Sequence, residues 1–198
     1  MILGLDISSS CIGYSIFDMD GKLIELNCVK FRDKLTLFEK LEEFKKSTEH
    51  FKNLDIKFIA IEEPLKKFMG KFSSASTIAL LNFFNGMISA YIYSEFGIEP
   101  IYFNVNNARS IVFPKAKKVS YKKSALDSEE ELEPTLEQEE KGSVKHEIWK
   151  KVMELEPLIN WRYGPKSRKL LDENYDMADS YVISLAMLIT LDKQTKTA

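Results

Sequence analysis

The stretch that most limits what this chain can fold into is its first, Met1-Ile2-Leu3-Gly4-Leu5-Asp6-Ile7. A continuous apolar run of this length reads as a strand buried on both faces. Asp6 sits at its tip, and Ser8-Ser9-Ser10-Cys11-Ile12-Gly13 follows at once. An acid at the tip of a buried strand is costly unless something pairs with it. Taken alone, Asp6 reads as a turn or cap aspartate. Two later stretches change that reading, because each puts another carboxylate at the end of an apolar element.

Extended runs over residues 13–17 and 22–31 flank Asp18-Met19-Asp20-Gly21, a hairpin signal. With the first strand they make an antiparallel meander. Residues 35–51 switch to helical period, with Leu35, Phe38, Leu41, Phe44, Thr48 and Phe51 on one stripe. Residues 57–61 form a fourth strand that Glu62-Glu63-Pro64 ends, since proline cannot continue a central strand. An uncharged helix starts near residues 73–76 and ends at Gly97. Residues 100–103 are a fifth strand, and 104–113 a short helix stopped by Pro114. Helical spacing returns over 144–155 and from Tyr175, with a polar, frayed tail from Asp192. The order β-β-β-α-β-α-β, then helices, predicts a mixed α/β sheet with helices packed on it.

With 198 residues, 44% of them hydrophobic, the chain suits one well-packed domain. The formal net charge of −2 gives no global nucleic-acid signal, but charge is uneven. Residues 115–123 hold five lysines and no acid; residues 127–140 hold eight acids and no base. This basic-then-acidic segment, about 115–141, reads as a loop inserted in the single domain. Two cysteines, Cys11 and Cys28, and no signal-peptide pattern argue for a reducing compartment: cytoplasm or nucleoid, not secretion. Residues 72–94 lack charge, but their serines and asparagines suit a soluble helix better than a membrane span.

Asp6 ends strand one and Glu62 ends strand four, so neighbouring strands would bring both acids to one sheet edge. Asp176 and Asp179, three apart on the last helix, share a face. By themselves those two fit a solvated first helical turn equally well. A helix otherwise almost wholly apolar must lie on the sheet, however, and its first turn then covers the strand tips. Four converging carboxylates repel one another unless a counter-charge is present. Oxygen-only ligands suit Mg²⁺ or Mn²⁺ rather than zinc. Two such ions about 4 Å apart are suited to phosphodiester hydrolysis. His50 and His146 begin or end amphipathic helices and read as surface residues. Strand alternation sends the neighbours Glu62 and Glu63 to opposite faces, so only one of them can join the site.

Three segments in this order, Ile2-Leu3-Gly4-Leu5-Asp6-Ile7-Ser8, Ala60-Ile61-Glu62 and Asp176-Met177-Ala178-Asp179-Ser180, resemble the RuvC-type Holliday-junction resolvases. The resemblance implies the RNase H-like fold: a mixed five-stranded sheet, three antiparallel strands then two parallel, flanked by helices. It also implies a divergent member, possibly phage- or virus-like, that binds a four-way junction as a homodimer and nicks two strands symmetrically. Asp6, Glu62, Asp176 and Asp179 would then be catalytic and hold two Mg²⁺ ions, with Mn²⁺ as a substitute; the resemblance favours Glu62 over Glu63. The aromatic that such proteins place soon after the glutamate is absent; Leu65 stands there, with Phe68 and Phe72 further on.

Three basic patches are candidate DNA contacts: Lys66, Lys67, Phe68, Lys71 and Phe72; Lys115, Lys117, Lys118, Lys122 and Lys123, extended by Lys145; and Arg162 and Arg168, beside Trp161, Tyr163, Lys166 and Lys169. Each patch alone also fits a solvated face. The second apolar face of the long helix is the candidate dimer contact. Two other readings are an actin- or sugar-kinase-like nucleotide-binding domain and a branched-DNA-binding protein without catalysis. The first needs a later glycine-rich phosphate loop that the eight glycines do not supply. The second sits badly with four retained acids.

Overall fold

The computed structural model describes residues 1–64, 75–114, 144–165 and 168–197. Five strands, β1 (Ile2–Ile7), β2 (Cys11–Phe17), β3 (Leu23–Lys30), β4 (Phe58–Glu62) and β5 (Ile101–Phe103), form one sheet in the order β3-β2-β1-β4-β5. The first three strands are antiparallel; β4 and β5 run parallel to β1. The described helices are α1 (Leu37–Ser47), α2 (Ala75–Phe96), α3 (Val105–Val112), α4 (Val144–Leu155) and α5 (Glu173–Thr197), with a 3₁₀ turn at Glu49–Asn53. This is the mixed, helix-flanked α/β sheet expected from the sequence. The inserted segment at about 115–141 lies outside the described residues.

Side-chain alternation along the central strands divides the core into two layers. Leu3, Leu5, Ile12, Tyr14, Ile16, Ile59 and Ile61 meet Phe44 of α1 and Phe84, Ile88 and Ile92 of α2. Ile2, Cys11, Phe17 and Ala60 meet α3, α4 and α5 on the other side. Asp6 shares the parity of Ile2 and Gly4, and Glu62 that of Ala60. Both acids therefore belong to the α5 side.

α5 lies unusually close to β1 and β2 because small residues line the seam. A Cβ on Gly4 would sit 2.1 Å from Ser184 Oγ and 2.7 Å from Ser180 O. A Cβ on Gly13 would sit 2.2 Å from the carbonyl oxygen of Asp176. Between them, Ser15 Oγ donates to Ser180 O at 2.8 Å and lies 2.7 Å from Ser184 Oγ.

Several boundaries differ from expectation. The helix expected over 35–51 stops at Ser47, where Thr48 Oγ1 bonds back to Phe44 O and the chain tightens into the 3₁₀ turn. Thr36 and Glu39 form its capping box. Phe38 is 66% exposed, because the packed stripe runs through Leu37, Leu41 and Phe44. α5 begins at Glu173 and continues through the tail expected to fray, with a Lys196–Asp192 pair one turn apart. α2 buries Phe84, Asn85, Ile88, Ser89 and Ile92 and leaves Leu80, Phe83 and Tyr93 about half exposed.

Gly13→Ala should destabilise the protein by about 1–3 kcal/mol or more, since the new methyl meets helix backbone that cannot rotate away. Gly86, whose Cβ would meet nothing within 4 Å, is the control. In mid-helix, Gly86→Ala should stabilise by up to about 1 kcal/mol. Thermal melts of both variants check the contrast.

Candidate metal centre and its surroundings

The β1–β4 pairing ends in register at Leu5↔Ile61, so Asp6 and Glu62 follow side by side. The close seam beneath α5 brings Asp179 to the same point. Asp6, Glu62 and Asp179 offer carboxylate oxygens that all lie within 4.8 Å of one another. Asp6 and Asp179 are buried, at 5% and 2% exposure, and Glu62 is half-buried. Asp176, one turn earlier on α5, joins Asp6 and Glu62 in lining a cleft of about 220 Å³. Ser8 Oγ donates to Asp176 Oδ2 at 3.1 Å. All four acids singled out in the sequence therefore meet in one place: three as a tight cluster, the fourth on the adjoining wall.

Two neighbours of the cluster were not singled out in the sequence. Arg109 of α3, only 8% exposed, grips Asp179: Nε and Nη2 donate to Oδ1 at 3.0 and 2.7 Å, and Nη2 to Oδ2 at 2.7 Å. A carboxylate offers about four acceptor positions. Arg109 uses part of that capacity and leaves Asp179 able to accept a cation. Asn85 of α2 lines the cleft and donates to Glu62 O at 3.4 Å. Its signal was a polar residue at an inward position of an apolar helix. Arg109 gave no local signal, because its partner lies 70 residues away.

Glu63 also borders the cleft. Alternation does not remove it, because β4 ends at Glu62. Lys145 of α4 lines the cleft with its side chain half exposed, and its Nζ lies 3.9 Å from Asp179 Oδ2. Arg162 is turned inward, where its Nη2 donates to Asn27 Oδ1 at 2.8 Å and to Cys28 O. Arg168 is exposed. Lys66, Lys67, Phe68, Lys71, Phe72, Lys115, Lys117, Lys118, Lys122 and Lys123 lie outside the described residues. His50 pairs with Glu25 at the surface, and His146 stands 3.2 Å from Tyr175 Oη; neither reaches the cleft.

Burial, then the neighbouring Glu62, pushes the Asp6 carboxyl well above the usual carboxylate range. Burial lifts Asp176 to about 6, against the opposing pull of Lys145 and the Ser8 hydrogen bond. Desolvation draws Lys145 down, but the charges of Asp179, Asp6, Asp176 and Glu62 outweigh it and hold the ammonium above its ordinary range. The donor set is hard oxygen throughout, crowded and short of positive charge. Such a set fits Mg²⁺ or Mn²⁺. Asp6, Glu62 and Asp179 are placed to hold the ion, with Asp176 beside them.

An acid whose folded pKa is raised costs the folded state nothing below its unfolded value. It costs the full penalty above the folded one. For Asp176 that window runs from 3.8 to about 6, and the shift is worth about 3 kcal/mol. The metal-free protein should therefore lose stability as pH rises through this window. Millimolar Mg²⁺ or Mn²⁺ at pH 7.5, about 1.5 units above the shifted pKa, should restore it as a rise in Tm. Arg109→Ala should cost about 3–5 kcal/mol, because it leaves Asp179 buried without its partner. Denaturant titration of that variant checks it.

No protein-family model matches the chain, and no curated protein matches it. Among solved structures the chain is similar to Thermus thermophilus RuvC bound to a Holliday-junction substrate, with 12% identity and a TM-score of 0.60 over 98% of this chain and 96% of that one. It is similar to Thermus thermophilus RuvC alone at 14% identity and a TM-score of 0.58, over the same shares of each chain. It is also similar to Ydc2, the yeast mitochondrial Holliday-junction resolvase, at 13% identity and a TM-score of 0.57 over 98% of this chain and 80% of that one. At these identities the likeness concerns architecture: the chain has the RNase H-like fold in the form these resolvases share.

Proposed function

We propose that this protein is a divalent-metal-dependent endonuclease that resolves branched DNA, four-way junctions foremost, by paired nicks. One observation carries the reading: three carboxylates from separate parts of the chain converge within 4.8 Å at the end of neighbouring parallel strands. A fold uses buried acids this way only if something positive joins them, since their mutual repulsion costs stability. The solved structures of similar architecture include RuvC with Holliday-junction DNA, which favours branched DNA over other phosphodiesters.

Two divalent ions held by Asp6, Glu62, Asp176 and Asp179 would activate a water and stabilise the departing oxygen. The chain's own residues do the rest. Arg109 fixes the plane of the Asp179 carboxylate with three charge-assisted hydrogen bonds. Ser8 orients Asp176. Lys145, half exposed at the cleft, can meet an incoming phosphate and offset the acids' repulsion of DNA. Cys11 and Cys28 are free, buried thiols, in keeping with a protein that works among DNA in a reducing compartment.

Paired, symmetric nicks need two sites, so the working form is a homodimer. The outward row of α2, with Leu80, Phe83 and Tyr93 each about half exposed, is the face for the second copy. Phe83→Glu should convert a dimer into a monomer by light scattering; a monomeric parent contradicts the pairing.

Labelled four-way junction and linear duplex, incubated with and without Mg²⁺, test the activity. Nicks should be paired, confined to the junction and dependent on metal. Asp6→Asn should cut at least about a hundredfold more slowly while still binding DNA. Cleavage that survives this substitution contradicts the assignment.

A further inference from the structure

Between α4 and α5 the chain makes a small hairpin that the carboxylate cleft does not use. Tyr163 and Leu170 form an antiparallel bridge, and Gly164 N–H donates to Lys169 O at 2.8 Å. Arg168 turns the chain back with φ of 50°, a left-handed conformation that is uncommon for a residue with a side chain. The base of the hairpin is clamped by Asn174, whose side chain is fully buried. Asn174 Oδ1 accepts from Arg162 N–H at 2.8 Å, and its Nδ2 donates to the carbonyls of Arg162 and Leu171 at 2.7 and 2.8 Å. Asn174 is the second residue of α5, two before Asp176.

The hairpin's groups divide by direction. Arg162 at the base faces inward, onto Asn27 and Cys28 of β3. Tyr163, 49% exposed, and Arg168 face solvent, and among the described residues Arg168 has no ion-pair partner. The start of α5 is acidic, with Glu173, Asp176 and Asp179, and Lys30 pairs with Glu173. On this side of the cleft a polyanion needs attraction from an adjoining element, and the described residues of the hairpin supply one exposed cation, Arg168, and one exposed aromatic, Tyr163.

We infer that Tyr163 and Arg168 contact a DNA arm, with Arg168 on a backbone phosphate and Tyr163 against a nucleotide. Asn174 docks the hairpin onto the helix that carries Asp176 and Asp179. DNA held by Tyr163 and Arg168 is thereby registered against the cleft. This inference rests on the branched-DNA reading above and assigns that DNA a second point of attachment.

The test uses the Asp6→Asn protein, which should hold junction without cutting it, as parent. Binding of labelled four-way junction is measured over a salt series for the parent and with Arg168→Ala or Tyr163→Ala added. Arg168→Ala should weaken binding by about three- to tenfold and lower the slope of log K against log salt by about one. Tyr163→Ala should weaken it about fivefold or more at unchanged slope. Both should keep the parent's Tm, since both side chains face solvent. Parent-like affinity and slope in both variants overturn the hairpin contact and leave the nuclease reading standing. A parent that binds no junction at all overturns both.

Discussion

The site depends on how closely α5 approaches the sheet. Gly4 and Gly13 leave no side chain in the seam, and Ser15 fills it with hydrogen bonds to Ser180 and Ser184. Only then can the first turns of α5 lie directly over the ends of β1 and β4. A helix at ordinary distance from a sheet stands off by a layer of side chains. Here Asp6 and Asp179 come within reach of one ion because that layer is missing.

Once the backbone imposes this approach, electrostatics follow. Asp6 is buried beside Glu62, and Asp176 is pushed up to about 6. The fold answers the crowding in part, with Arg109 against Asp179 and Lys145 nearby. Removing one partner of such a buried pair exposes the other to the full cost of desolvation. A hard divalent cation would relieve the remaining crowding, so the same feature that costs stability without metal would give affinity with it.

Much of this was legible in the sequence. The first strand's apolar run fixed its burial on both faces, and the proline after Glu63 marked where β4 must end. Their place at the ends of strands one and four put Asp6 and Glu62 at one sheet edge, given neighbouring strands, and the β1–β4 pairing supplies that condition. What the sequence hid was tertiary. Arg109 sits in an eight-residue helix that looks unremarkable until Asp179 is placed beside it. Arg162 carried the same charge as its neighbours, and only the fold turns it inward to β3. Alternation admits only one of Glu62 and Glu63, a rule that holds within a strand and lapses at its end, and both border the cleft. Phe38 matched the helical stripe by spacing, yet the packed face runs through Leu37, Leu41 and Phe44 and leaves it exposed.

The most direct measurement is a crystal of this protein soaked in Mn²⁺, with the anomalous signal used to find the ions. Two peaks about 4 Å apart, both touching Asp6 and shared among Glu62, Asp176 and Asp179, are expected. Full Mn²⁺ exposure with no peak at these carboxylates, or with ions bound only elsewhere, would contradict a metal-dependent centre and with it the proposed chemistry.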